Sequence, residues 1–208
     1  AAPANSPTRK PSHWIGSVSA DASPDPSGFL GSCRVIDVEA APIQSLARSL
    51  SADTDVATAR NCFEFVRDEI QHSSDFQRNP VTCSASSVLE HGTGFCYAKS
   101  HLLCALLRAN GIPAGLCYQR LSINGEGEPF CLHGLNAVWL SDFGWHRVDP
   151  RGNREDIDAQ FDPPTERLAF SAELPGEGIL PGIYASPLDV VETTLNRYST
   201  WEEVCENL

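Results

Sequence analysis

Four stretches of the chain carry apolar residues at every third or fourth position, and this spacing predicts helices. They are residues 43–50, 53–70, 84–91 and 96–107. Gly92 directly follows the third stretch, and Asn110-Gly111-Ile112-Pro113 follows the fourth. Glycine adopts left-handed backbone easily and proline cannot continue a helix, so both sequences are typical of helix ends. The fourth helix therefore begins at or near Cys96.

After Pro113 the pattern becomes strand-like. The predicted strands cover residues 116–121, 130–140 and 145–149. Asn124-Gly125 is a hairpin turn signal between the first two strands, and Ser141-Asp142 forms a turn between the second and third. These turns predict that the three strands follow one another as hairpins.

The two ends of the chain differ in composition from its middle. Residues 1–28 are rich in Ala, Pro and Ser and predict an extended or mobile N-terminal arm, anchored in part by Trp14 and Ile15. Residues 29–208 are long enough for a single domain with its own core. Within this domain, 151–187 predicts a long ordered wrap, Ser186-Pro187 the start of a helix, and Thr200–Glu203 a capping box.

Composition excludes several classes of partner. Hydrophobic residues make up 41% of the chain and charged residues 20%, as in ordinary globular proteins. The net charge of −12 argues against nucleic acid and against anionic membrane surfaces, because both repel an acidic protein. No apolar run reaches membrane-spanning length. We therefore expect neither nucleic acid nor membrane as a partner.

The eight cysteines favour reduced thiols over a disulfide framework. Cys62 and Cys104 fall on apolar helix faces, and no CxxC pair exists, so we expect a cytoplasmic protein. A zinc site can be drawn from Cys117, Cys131, His133 and His146, but its spacing fits none of the usual patterns. No calcium-loop pattern is present either. The expectation is a protein without metal or cofactor.

Cys96 is the strongest candidate for chemistry. The N-terminus of a helix offers unpaired N–H groups and the positive end of the helix dipole, which favour a thiolate and stabilise a developing oxyanion. Gly92 and Gly94 precede the cysteine and allow a tight turn and close approach of a substrate. The alternative is a small hydrophobic residue at the start of a core helix.

His133 and Asp149 are candidates for a base and its orienting partner. Their midpoint is residue 141, so an antiparallel hairpin centred there would pair them on one face of the sheet, about 5 Å apart. An imidazole–carboxylate hydrogen bond fits that distance. A shift of one residue in register would place them on opposite faces. The alternative is a strand histidine with satisfied hydrogen bonds and an Asp that forms a turn before Pro150.

With these three residues in place, the chain resembles the transglutaminase-like superfamily. The matching segments are residues 86–96, 106–113, 133–139 and 144–150, together with 65–72. Gly134-Leu135 stands where many members have Ala-Trp. The resemblance implies an α+β, papain-like fold, in which a central helix led by the cysteine packs on an antiparallel sheet.

The same resemblance implies a catalytic triad of Cys96 as nucleophile, His133 as base and Asp149 as its orienting residue. Gln71, His72 and Tyr97 all remain possible as side-chain donors to the oxyanion. The expected activity is acyl transfer from an amide or peptide bond of a peptide or protein substrate, with release by water favoured. The alternatives are an amine-accepting transglutaminase and a non-catalytic binding protein on the same fold.

Overall fold

Six α-helices and eight strands form within residues 23–207, the part of the chain that the computed structural model describes. The helices are α1 (Ala41–Leu50), α2 (Asp55–Glu69), α3 (Ala85–His91), α4 (Cys96–Ala109), α5 (Asp189–Arg197) and α6 (Trp201–Cys205), after a 3-10 helix over Pro26–Phe29. The strands are β1 (Gln71–His72), β2 (Thr93–Gly94), β3 (Ala114–Ser122), β4 (Phe130–Leu140), β5 (Gly144–Val148), β6 (Gln160–Asp162), β7 (Thr165–Arg167) and β8 (Gly178–Ile179). The predicted α+β fold is confirmed.

Helix α4 is the centre of the molecule. Every residue from Cys96 to Arg108 is buried, because α1, α2 and α3 pack around it and the sheet covers its remaining side. A helix buried all round needs polar partners for its few charged residues. The Arg108 guanidinium donates to three backbone carbonyls, those of Gly31, Ala114 and Ala185. The helix ends as predicted, with Gly111 at φ 72°.

The main sheet has four antiparallel strands in the order β5-β4-β3-β8. Strand β4 lies directly against α4, and Gly134 is what allows the closest approach. A Cβ on Gly134 would stand 2.9 Å from Tyr97 Cδ1 and 3.0 Å from Tyr97 Cα, closer than real side chains come. Glycine at this position therefore lets the strand meet the first turn of the helix.

The predicted register of the β4–β5 hairpin is wrong by two residues. Leu140 pairs with Gly144, so the turn covers residues 141–143 and is centred on 142 rather than 141. The Phe143 N–H donates to the Leu140 carbonyl, and Gly144 has φ 73°, a conformation that closes such a three-residue turn. A shift of two residues preserves the face, so His133 and Asp149 still lie on the same side of the sheet.

The start of α5 also differs from the prediction. Its N-cap is Leu188, without a side-chain cap, instead of Ser186. The Leu188 N–H donates to the Tyr118 hydroxyl on β3, which holds the chain extended for two more residues. The capping box predicted at Thr200 is present at the start of α6, with Glu203 as its second member.

Most of the predicted N-terminal arm, including Trp14 and Ile15, lies outside the described residues. The described end of that segment packs on the sheet, where Trp145 donates to the Pro24 carbonyl and Phe29 stacks edge-on against the Trp145 ring. Within residues 23–207, no helix has both the length and the apolar character needed to cross a membrane.

Candidate active site

Cys96 occupies the first position of α4. Helix α3 ends at Gly92, whose φ of 62° turns the chain, and β2 then leads into the helix. The N-cap residue Phe95 makes no side-chain cap bond, so the first-turn N–H groups keep their donor capacity. The Cys96 side chain is buried at 7% exposure and lines a cleft. The sequence prediction that this thiol meets the positive end of a helix is confirmed.

His133 and Asp149 form a buried hydrogen-bonded pair beside Cys96. His133 Nε2 lies 2.7 Å from Asp149 Oδ2, and His133 and Cys96 line the same cleft. The Gly134 N–H also points at Cys96 Sγ, at 3.4 Å. The three side chains singled out from the sequence therefore lie together at the start of α4.

The backbone around Asp149 fixes the direction of its carboxylate. Asp149 Oδ1 accepts from the Arg151 N–H at 3.2 Å, and Oδ2 accepts from the Ala169 N–H at 3.1 Å. Phe170 follows Ala169 and packs edge-on against the His133 ring at 5.0 Å between centroids. No pattern in the sequence points to Ala169 or Phe170, because the segment that contains them has no hydrophobic periodicity.

The pair is strongly polarised. Burial disfavours a charged imidazole, yet the Asp149 carboxylate, the charge on Cys96 and their hydrogen bonds outweigh it and raise the pKa of His133 to about 10. Burial likewise opposes ionisation of Asp149, but the His133 charge and the hydrogen bonds from His133 and the backbone lower the pKa of this carboxyl. At neutral pH the arrangement is an imidazolium held by a carboxylate.

The cleft beside Cys96 has a volume of about 580 Å³. Part of its polar lining comes from two segments that Asp75 joins: His72 and Ser74 from one, Arg151 and Arg154 from the other. Ser122, Ser171, Glu173 and Glu177 add polar groups from other segments. Its apolar lining comes from the β3–β4 hairpin and the loop 170–174, and comprises Leu121, Ile123, Leu132, Phe170 and Leu174. The thiol therefore opens into a groove that is polar in one part and apolar in another.

Of the three proposed oxyanion donors, two have other bonds. Gln71 accepts from Arg78 and is not among the residues that line the cleft in the described part of the chain. The Tyr97 hydroxyl donates to the Leu132 carbonyl. His72 lines the cleft, and its buried Nδ1 has no hydrogen-bond partner among residues 23–207 and lies 3.7 Å from Asp75 Oδ1.

The position of His72 follows from a short parallel pairing. Strand β1 pairs with β2 so that His72 stands opposite Gly94, two residues before Cys96, and the ring packs edge-on against Phe95 at 5.8 Å. Burial, followed by the charge on Arg151, holds the pKa of His72 well below its usual value. His72 is therefore neutral at pH 7, with one ring N–H that either nitrogen can carry.

The alternative zinc site is not assembled. Within residues 23–207, no three His, Cys, Asp or Glu side chains come close enough to hold a metal ion. Two members of the proposed set have other partners: His133 bonds to Asp149, and Cys117 points at the Gly182 carbonyl.

Comparison with known proteins gives the family. The sequence profile of the transglutaminase-like superfamily matches residues 44–150, slightly more than half of the chain. A search of curated proteins found no match. Similar solved structures include a candidate cysteine protease from Cytophaga hutchinsonii, with 19% identity over 63% of this chain and 43% of that one, at a TM-score of 0.48.

The periplasmic domain of TgpA from Pseudomonas aeruginosa shares 20% identity over 62% of this chain and 48% of its own, at a TM-score of 0.44. A candidate protease from Parabacteroides distasonis shares 12% identity over 66% of this chain and 30% of its own, at a TM-score of 0.41. The chain thus spans less than half the length of each of these structures. On the profile match, the chain belongs to the transglutaminase-like superfamily.

Proposed function

We propose that the protein is a cysteine-nucleophile acyl-transfer enzyme that acts on an amide or peptide bond. Cys96 is the nucleophile, His133 the general base and acid, and Asp149 the residue that orients His133. The observation that carries this proposal is the 2.7 Å bond between Asp149 and His133, a histidine that lines the same cleft as Cys96 at the start of a buried helix. Members of the superfamily are typically thiol-dependent enzymes.

In the first half of the reaction the Cys96 thiolate attacks the amide carbonyl carbon. A carbon–sulfur bond forms and the carbonyl oxygen takes the negative charge, which the Cys96 N–H and the His72 ring N–H stabilise. His133 then gives its proton to the amide nitrogen, the carbon–nitrogen bond breaks, and the amine leaves. Asp149 keeps Nε2 of the ring protonated, so that the proton exchanged with substrate is the one that faces the thiol.

In the second half we favour water as the acceptor. His133 takes a proton from water, the oxygen attacks the thioester carbonyl, and the acid product leaves as the thiolate re-forms. The openness of the cleft supports hydrolysis: Ile123 is 53% exposed and the Arg154 side chain 46%, so water has access to an acyl group on Cys96. An enzyme that transfers acyl groups to amines has to limit this access.

A single assay offers the acyl-enzyme both acceptors, water and a primary amine. Purified protein is incubated with casein and a biotinylated primary amine, and mass spectrometry records new peptide termini and biotinylated glutamines. We expect new termini from the wild type and none from Cys96→Ala, a change that removes the nucleophile but little volume. Cys131→Ala is the matched control, because this half-buried thiol lines the same cleft.

The outcomes separate the alternatives. Biotin incorporation without cleavage would make the protein a transglutaminase. Neither product from the wild type, together with an unreactive Cys96, would favour a binding protein on this fold. Activity retained in Cys96→Ala at the wild-type level would contradict the assignment of the nucleophile.

A further inference from the structure

The apolar lining of the cleft includes large side chains that the fold leaves in contact with solvent. Ile123, near the tip of the β3–β4 hairpin, is 53% exposed, and Leu174, from the loop before β8, is 38% exposed. Leu132 and Phe170 continue this surface towards Cys96 and His133. Large apolar groups exposed in a groove next to a reactive thiol are typical of a ligand-binding surface.

The two segments that carry this lining are fixed to each other. The Glu177 carboxylate accepts from the Ser122 N–H at 2.8 Å and from the Leu174 N–H at 3.0 Å, which places one carboxylate between the hairpin and the loop. Arg120 also donates to the Gly176 carbonyl while its guanidinium lies 3.8 Å above the Phe130 ring. The apolar lining is therefore formed before any substrate binds, which lowers the entropic cost of binding.

Ser122, Ser171, Glu173 and Glu177 border this apolar lining, and the part of the cleft around Asp75 is polar. His72, Ser74, Arg151 and Arg154 are polar or charged, and Asp75 links them: it bonds Arg151 through both oxygens, at 2.6 and 2.9 Å, and pairs with Arg154 at 3.3 Å. Successive side chains of an extended peptide point in opposite directions. A peptide extended through this cleft therefore directs one side chain to the apolar lining and its neighbour away from it.

We infer that the substrate is an extended peptide with a large aliphatic or aromatic side chain within two residues of the scissile amide, seated against Ile123, Leu174 and Phe170. This inference rests on the proposed function, because it names the substrate class of the same site. Ile123 and Leu174 are then residues that determine specificity. They select the side chain by apolar contact and take no part in the bond changes.

The first test measures turnover with a positional-scanning peptide library. In the wild type, we expect kcat/KM for the best Leu, Ile or Phe peptide to exceed that of the matched Ala peptide by at least about tenfold. In the double variant Ile123→Ser/Leu174→Ser this ratio should fall below about threefold. Val190→Ser is the matched control, since Val190 is 58% exposed on α5 and outside the cleft lining, and it should keep the wild-type ratio.

The second test needs no turnover. Cys96→Ala protein is panned against a random heptapeptide phage library, and the selected sequences should be enriched in Leu, Ile and Phe by at least about threefold over the input. The enrichment should disappear when Ile123→Ser and Leu174→Ser are added. A wild type that cleaves peptides without apolar preference would overturn this inference and leave the proposed function standing. Apolar enrichment without any acyl transfer would support the apolar binding surface and contradict the proposed function. An absence of enrichment in panning would overturn the inference.

Discussion

Two neighbouring parts of helix α4 bury ionisable groups in different ways. At its first turn, Cys96 meets His133, which is 4% exposed and bonded to Asp149. Three and five residues further on, Lys99 and His101 are both 0% exposed and are bonded to backbone carbonyls alone among the described residues. The two histidines are thus almost equally buried, yet their pKa values move in opposite directions, to about 10 for His133 and to about 4 for His101.

The two histidines differ in pKa because they have different hydrogen-bond partners. Burial lowers the pKa of His101, and its bond to the Cys83 carbonyl at 2.8 Å offsets this only in part. Burial opposes the charge on His133 as well, but a full carboxylate at 2.7 Å and the adjacent Cys96 overcome it. Burial therefore sets the cost of a charge, and a buried counter-charge decides whether the group carries one. The Cys96 end of α4 gives His133 a counter-charge, and the surroundings of His101 give it none.

Asp149→Asn should have the largest effect, because it removes the counter-charge that distinguishes His133 from His101. The amide removes the counter-charge and can present its NH₂ to Nε2 of His133, which favours the wrong tautomer. In a serine triad the equivalent change costs about 10⁴-fold in kcat. A thiolate formed in advance depends less on the base, so we expect a loss on the order of 10²- to 10³-fold, mainly in kcat.

Asp37→Asn is the control for this variant, because Asp37 also accepts from a backbone N–H, that of Ser86, away from the cleft. Steady-state kinetics on the substrate found in the proteolysis assay, together with a thermal melt, measure both variants. A kcat for Asp149→Asn within about threefold of wild type would remove Asp149 from the site and leave it as a turn residue before Pro150.

A smaller effect is expected in the alkylation rate of Cys96. At pH 6 His133 is charged, since its pKa is raised to about 10, and it stabilises a thiolate beside it. Cys131 lines the same cleft, but burial raises its pKa, so its thiol stays protonated at this pH. We expect iodoacetamide to modify Cys96 at least about 100-fold faster than Cys131 at pH 6, as read by peptide mass spectrometry.

The variant His133→Gln should remove most of this difference, because it deletes the neighbouring positive charge. Equal rates for Cys96 and Cys131 in the wild type would contradict a thiolate at the start of α4. Equal rates in the wild type and in His133→Gln would assign the reactivity to the helix dipole alone.

The parts of the fold and site that could be predicted are those encoded by residues close together in the sequence. Strand β4 was predicted at its observed bounds, Phe130–Leu140, and α3 ends at the predicted Gly92, because alternation and a left-handed glycine are local signals. The site residues were predicted from the motif segments and from the alternation of side chains along the β4–β5 hairpin. A register error of two residues leaves His133 and Asp149 on the same face, so this prediction did not depend on the exact register. The error arose because Gly144 closes the turn one residue later than Ser141-Asp142 suggests.

The residues that could not be predicted act across long separations in the chain. Phe170 contacts His133 from a segment without periodicity, and Asp75 reaches Arg151 across 76 positions. Gly134 could be read only as a departure from the Ala of many relatives, and its role, the close approach of β4 to Tyr97, requires the packed structure. The cytoplasmic location and the N-terminal arm stay predictions.

The smallest expected effect concerns Lys99. Its ammonium donates to the Arg67 and Ile70 carbonyls at the end of α2, and burial lowers its pKa from 10.5 to about 7. Between these two values the unfolded chain binds more protons than the folded one, so the free energy of unfolding rises with pH. Lys99→Met lacks this contribution. The wild type should therefore gain about 2 kcal/mol of unfolding free energy relative to Lys99→Met between pH 7 and pH 9.

Denaturant titrations under reducing conditions measure this gain. Leu102→Met is the control for a methionine in the same buried helix, and its stability should vary with pH in parallel with that of the wild type. Parallel curves for Lys99→Met and wild type would mean that Lys99 keeps its ordinary pKa, and the contrast between the two parts of α4 would then rest on His101 alone.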